Sequence, residues 1–220
     1  MVRCGTAAPA IRQRLRPGKR PRRLSPDADG GEPGQSHRGA CDMTMRLEDR
    51  EAIREIVALY AHAIDRRRWG MMERLFHPDA TFGFGPVVGD WRGFVEQARA
   101  IIDPCTATQH QLGQTLIGFA DADTAHCETY LTAMHIVPAG YPRPEVFPDR
   151  GETYAAIIAG RYVDRFERRG RLWRIASRQG LYDWREYRVI GEADLAGMPE
   201  GACGYHDGRD PSTAVVTDWL

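Results

Sequence analysis

Between residues 47 and 65 the apolar positions Ile53, Ile56, Val57, Tyr60 and Ile64 return at steps of three and four, the spacing that lays one buried stripe along a helix. Asp65 follows Ile64 at the edge of that stripe, where it can face either core or solvent, and Arg66, Arg67 and Arg68 come next. A short second helix is predicted over 69–76, stopped at His77-Pro78-Asp79 because proline cannot continue the helical bonding and biases the residue before it to extended geometry. Residues 80–89 read as a short hairpin. A third helix follows over 91–102, with Asp90 as its cap and Asp103-Pro104 as its stop.

Beyond Pro104 the pattern turns to strands, predicted over 108–119, 125–137, 153–168 and 171–184, with a tight turn at Gly170. Residues 138–151 are too rich in proline for a central strand and read as a long loop. Helices that precede a run of adjacent antiparallel strands predict an α+β fold rather than alternating α/β. Past Val189 glycine and proline dominate again, and the more apolar 214–220 is read as a loose tail in preference to a docked lid.

Composition narrows the reading. A chain of 220 residues, 42% hydrophobic and 27% charged, suits one domain with tails. Residues 1–42 hold nine Lys/Arg against four acids and little apolar surface, so they are read as a disordered basic extension ahead of a domain over 43–189, with 190–220 as tail or lid. Over the whole chain thirty basic and thirty acidic residues cancel, and nothing global points to nucleic acid or an anionic membrane as partner. No window approaches the roughly twenty apolar residues of a membrane span. Five scattered cysteines without a C-x-x-C pair predict reduced thiols, hence a cytoplasmic protein.

Two helices, a hairpin, a third helix and a curved four-stranded sheet describe a cone with an apolar interior, a shape that holds a small molecule. Three separated segments, 47–82, the Thr108-Gln109-His110 triplet and 160–184, resemble in order the SnoaL-like branch of the nuclear transport factor 2-like superfamily, over about residues 47–188. Within it the chain looks most like the group that includes scytalone dehydratase, bile-acid 7α-dehydratase and hexachlorocyclohexane dehydrochlorinase. The resemblance implies a cone-shaped fold and a cofactor-independent lyase or isomerase that needs no metal. It places the family's catalytic positions on Tyr60, Asp65, His110 and Arg178.

In elimination chemistry a base takes a proton from carbon while a second group helps the leaving group depart. The resemblance makes His110 the base and Asp65 the carboxylate that orients it. Tyr60 becomes a hydrogen-bond donor, and Arg178 a fixed positive charge for developing anion. Each residue has a plainer reading from sequence alone: Asp65 pairing with Arg66 to Arg68, His110 as a satisfied core histidine, Tyr60 as core packing, Arg178 as a solvated edge residue. By strict alternation Arg178 shares a face with Arg174 and Ala176, opposite Trp173, Ile175 and Ser177. Glu128 and Tyr130 share one face of the second strand and, with Trp69 and Phe82, are the candidates for substrate contact. His126 and His135 fall on opposite faces and cannot form a joint metal pair there.

The expected partner is a small, cyclic, largely apolar molecule such as a polyketide or steroid-like intermediate. Apolar residues on both faces of the last two strands predict a homodimer or homotrimer. The competing reading is a non-catalytic binding module, or a structural protein like the β subunit of a ring-hydroxylating dioxygenase.

Overall fold

The structure, a computed structural model, describes residues 36–84, 87–191, 199 and 202–217. Its first helix, α1, spans Ser36–Asp65. This begins earlier than the periodicity predicts, while the greater part of the basic extension, 1–35, lies outside the described residues. The stripe is buried as patterned: Ile53, Ile56, Val57, Tyr60 and Ile64 are each at most 4% exposed. Each such burial contributes about 1.5–3 kcal/mol.

The predicted second helix is shorter than expected. A 3₁₀ turn, Trp69–Met71, leads into the single turn α2, Met72–Leu75, and the chain is already in strand β1 at Phe76–Phe84. His77-Pro78-Asp79 is therefore part of a strand, not a turn. Proline is tolerated there because the β1 ladder is interrupted between Phe76 and Thr81, so no bond from its missing N–H is needed. After β2 (Val87–Asp90) comes α3 (Trp91–Ile102), whose first free amides, Arg92 N and Gly93 N, donate to the Asp90 carboxylate at 3.0 and 3.1 Å. Strands β3 (Ala107–Phe119), β4 (Thr124–Val137), β5 (Tyr154–Arg169) and β6 (Leu172–Val189) complete the sheet, with Gly170 at φ 70° in the β5–β6 turn.

The sheet has six strands rather than four, in the order β2-β1-β6-β5-β4-β3, because the hairpin joins the edge of β6 through a parallel pairing of β1. All other pairs are antiparallel. The fold is α+β: one sheet wrapped around α1 and α3, with the core between them.

Two register shifts in β6 change which side chains face inward. Ala176 is skipped between the pairs Arg165↔Ser177 and Phe166↔Ile175, and Asp183 between Gly160↔Tyr182 and Ala159↔Trp184. Each extra residue inverts the alternation beyond it. Ile175 and Arg178 thus both point to the core, although strict alternation sets them on opposite faces.

Two segments close the ends of the cone. The loop after β4 buries Tyr141 and Phe147 in a small second core with Cys105, Val137, Tyr154 and Ala156, and the Tyr141 hydroxyl donates to Ile101 O at 2.7 Å. The C-terminal segment is docked rather than loose. Val216 is 4% exposed in the main core, Arg68 Nη2 donates to Asp207 O at 3.0 Å, and Asp210 caps the 3₁₀ turn Pro211–Ala214. Residues 192–198 and 218–220 lie outside the described residues. No helix among the described residues is long and apolar enough to cross a membrane.

Candidate functional site

Helix α1 ends at Asp65 in a Schellman-type cap: Arg68 N donates to Ala63 O, Arg67 N to Ile64 O, and Arg67 holds the left-handed conformation at φ 53°. That reversal turns the three arginines away from the acid. Arg67 Nη2 donates to Cys105 O at 2.6 Å, Arg68 binds Asp207 O and the Thr213 hydroxyl, and Arg66 lies 4.0 Å from Asp210. The Asp65 carboxylate is left to face β3.

There it meets His110 twice. Asp65 Oδ1 lies 2.8 Å from His110 Nδ1 and also accepts from the Thr108 hydroxyl at 3.0 Å, while Oδ2 accepts from the His110 backbone N–H at 2.7 Å. Burial pushes the Asp65 carboxyl upward, but the His110 ring, its amide and Thr108 together outweigh it and hold the group below the usual carboxylate range. An ionised Asp65 accepts only, so Nδ1 carries the proton, and Nε2 has no hydrogen-bond partner among the described residues.

His110 borders a cavity of about 610 Å³ enclosed by α1, α3, the hairpin, the inner faces of β3 to β6 and the loop after β4. Its walls are mainly aromatic and aliphatic. Phe82 stacks on Phe94 with ring centroids 3.6 Å apart, and Phe84 stacks on Tyr182 at 4.9 Å. The close Phe84 ring requires glycine at position 180, where an added Cβ would come within 1.9 Å of it.

Tyr60 also borders the cavity, its ring edge-on to Tyr162 at 5.4 Å. Burial pushes its hydroxyl up to about 12, against the opposing effect of Arg178, so it stays protonated and able to donate. Arg178 itself is sealed behind this wall. Its Nε and Nη2 each donate to Asp164 at 2.7 Å, its guanidinium sits 4.0 Å from the Tyr60 ring centroid and 4.2 Å from that of Tyr162, and neither Arg178 nor Asp164 has any exposed side-chain surface. The free positive charge expected at this position is thus neutralised by a carboxylate that the sequence reading did not single out.

Three of the four expected substrate contacts lie elsewhere. Phe82 is in the cavity wall. Trp69 donates to Asp103 Oδ1 at 3.2 Å, away from the cavity. Glu128 and Tyr130 are on the outer face, where Arg161 Nη1 donates to Glu128 at 2.7 Å. The inward residues of β4 are instead Leu131, Ala133 and His135, as the register of His110 opposite Ala133 dictates.

His135 is thus a second imidazole in the wall, 5.5 Å from the His110 ring and edge-on to it. Burial drives it down to about 3, with the His110 charge acting the same way, so it is neutral, and its Nδ1 has no hydrogen-bond partner among the described residues. The sequence reading passed over it in favour of the Glu128 face; its shared parity with the apolar Leu131 and Ala133 is the signal that could have found it. Among the described residues no three His, Cys, Asp or Glu side chains gather in a way that could hold a metal ion.

The profile of the SnoaL-like domain matches residues 45–179, a span that runs from the described part of α1 to the buried arginine. The chain belongs to the SnoaL-like domain family. Solved structures with the same architecture include a type 2 hexachlorocyclohexane dehydrochlorinase, 19% identical over 71% of this chain and 97% of that one, with a TM-score of 0.55. A type 3 dehydrochlorinase from Novosphingobium barchaimii is 16% identical over 70% and 97%, with a TM-score of 0.55. A candidate scytalone dehydratase from Novosphingobium aromaticivorans is 17% identical over 72% and 97%, with a TM-score of 0.56. At these identities the likeness is one of fold. No curated protein matches the chain. SnoaL-like members share the cup; what this one does must be argued from its own side chains.

Proposed function

We propose that this protein is a cofactor-independent lyase or isomerase that moves a proton on a small, cyclic, largely apolar substrate. The observation that carries the reading is the Asp65–His110 contact at 2.8 Å on the edge of a mainly apolar cavity. His110 Nε2 takes a proton from a carbon of the substrate, and the electron pair left behind forms the new double bond. The leaving group departs with help from the Tyr60 hydroxyl, whose raised pKa keeps it protonated so that it donates a hydrogen bond to a departing halide or hands its proton to a departing hydroxide. Asp65 holds the tautomer and stabilises the imidazolium that forms. Arg178, held by Asp164 beneath the wall, acts through the rings of Tyr60 and Tyr162 rather than on substrate.

The test is turnover of cyclic substrates that carry an acidic C–H beside a hydroxyl or halide, followed with solvent-deuterium incorporation. Wild type is expected to turn over at least one class, and His110→Ala to lose about 10²–10⁴-fold in kcat while retaining its fold. Equal turnover by both proteins would remove the proposal.

The outer face supports a homo-oligomer: Leu116 is 61% exposed, Val163 40% and Tyr130 39%, on neighbouring strands. Light scattering after size exclusion is expected to give a mass above one chain, and a monomer at all concentrations would contradict it.

A further inference from the structure

Arg185 reaches the cavity because β6 bulges a second time, undoing the inversion that the bulge at Ala176 introduced. In strict alternation from Gly180 and Tyr182 the next inward residue is Trp184. The skipped Asp183 shifts the register, so that Arg185 pairs with Ile158, a cavity residue, and takes the inward face in its place. The bulge in turn requires the glycine at 160, where a Cβ would meet Leu181 O at 2.1 Å. Bulges beside active sites commonly re-aim one side chain, and here the side chain re-aimed is a cation.

The other charges along the cavity border are engaged. Glu145 is paired with Arg143, Asp90 caps α3, and Arg161 is held on the outer face by Glu128 and Asp183. Arg185 has no ion-pair partner within 4 Å among the described residues; it lies 5.6 Å from the Tyr187 ring and remains exposed at the cavity's edge. An uncompensated guanidinium at the mouth of an apolar chamber favours an anionic group attached to an apolar body.

We propose that Arg185 is a specificity-determining residue that selects substrates bearing a carboxylate or similar anionic group, held at the mouth while the ring system enters the chamber toward His110. The inference rests on the cavity being the substrate site.

Two fluorescent probes test it without any turnover: anilinonaphthalene sulfonate, an aromatic anion, and N-phenylnaphthylamine, its neutral counterpart, titrated at low and high salt. Ala98→Trp, which fills the cavity from α3, is expected to weaken both probes at least about tenfold. Arg185→Gln is expected to weaken the sulfonate about three- to tenfold at low salt and to leave the neutral probe unchanged, with Arg185→Lys restoring most of the loss. Circular dichroism confirms that each variant is folded. If Ala98→Trp weakens both probes but Arg185→Gln leaves their ratio unaltered, the role of Arg185 is overturned and the cavity reading stands. If Ala98→Trp weakens neither probe, the cavity is not the ligand site and both fall.

Discussion

Two acid–base pairs sit within the same cone, and they differ in what they leave free. Asp164 and Arg178 form a two-bond pair with no exposed side-chain surface, flanked by two tyrosine rings. Asp65 and His110 are equally well bonded, but His110 borders the cavity and keeps one ring nitrogen unused. The first pair also keeps an unbonded nitrogen, Arg178 Nη1, but it is buried out of reach of a substrate, whereas the second pair borders the chamber. Charge and burial alone therefore do not mark a reactive group; the unspent hydrogen-bonding capacity facing a chamber does.

Mutation should separate the two in kind. Arg178→Met strands a buried carboxylate, with an expected stability loss of about 3–5 kcal/mol, read as a fall of roughly 6–20 °C in Tm. Adding Asp164→Leu to it should recover most of that loss, since no charge is then left buried. If Arg178→Met melts like wild type, the sealed pair is not the structural element described.

Asp65→Asn keeps shape but cannot enforce the Nδ1–H tautomer, and kcat is expected to fall by about 10²-fold or more with a much smaller change in Tm. The reverse pattern, a large melting change with normal turnover, would make the two pairs alike.

His135 gives a smaller effect that depends on pH. Its folded value of about 3 lies below the ordinary 6.5, so the unfolded chain binds the extra proton between those two values. Stability is therefore unaffected above about pH 6.5 and falls as pH drops from there toward 3, by about 2 kcal/mol at pH 5. Thermal melts should show wild type losing roughly 4–8 °C more than His135→Gln between pH 7 and 5. Parallel pH curves would mean that the ring is solvated or paired.

The smallest change expected is at Arg67. Glycine there relieves a left-handed residue by up to about 1 kcal/mol but removes the bond to Cys105 O, so Arg67→Gly should shift Tm by only a few degrees in either direction. A collapse of activity in that variant would show that the cap, and not Asp65 itself, sets the site.

Most of the fold was legible because its signals are local. The stripe on α1, the Asp90 cap and the ends of β3, β4 and β5 follow from periodicity and from turn residues, each within a residue or so. Long-range pairing was not legible. The parallel seat of β1 on β6 let Pro78 lie in a strand, and the docking of the C-terminal segment depends on Arg68 meeting residues far along the chain.

In the site, the meeting of Asp65 with His110 followed from the family resemblance, whereas alternation alone could not choose a face for Arg178. The bulge at Ala176 inverts the parity of β6 and carries Arg178 inward, and the bulge at Asp183 inverts it back and carries Arg185 inward. A bulge is a backbone irregularity with no strong residue signature, apart from a glycine such as Gly160 that a close carbonyl requires. Asp164 went unseen for a related reason: a buried acid is recognisable only once its arginine is known to face it.

The central claim is that Asp65 fixes the His110 ring with its proton on Nδ1 and presents Nε2 bare to the chamber. Nitrogen-15 NMR of the histidine rings at about pH 8, assigned by comparison with His110→Ala, tests it without knowledge of the substrate. The account predicts a protonated Nδ1 and an unprotonated Nε2 for His110, with the tautomer preference lost in Asp65→Asn; a proton found on Nε2 in the wild-type protein would contradict it.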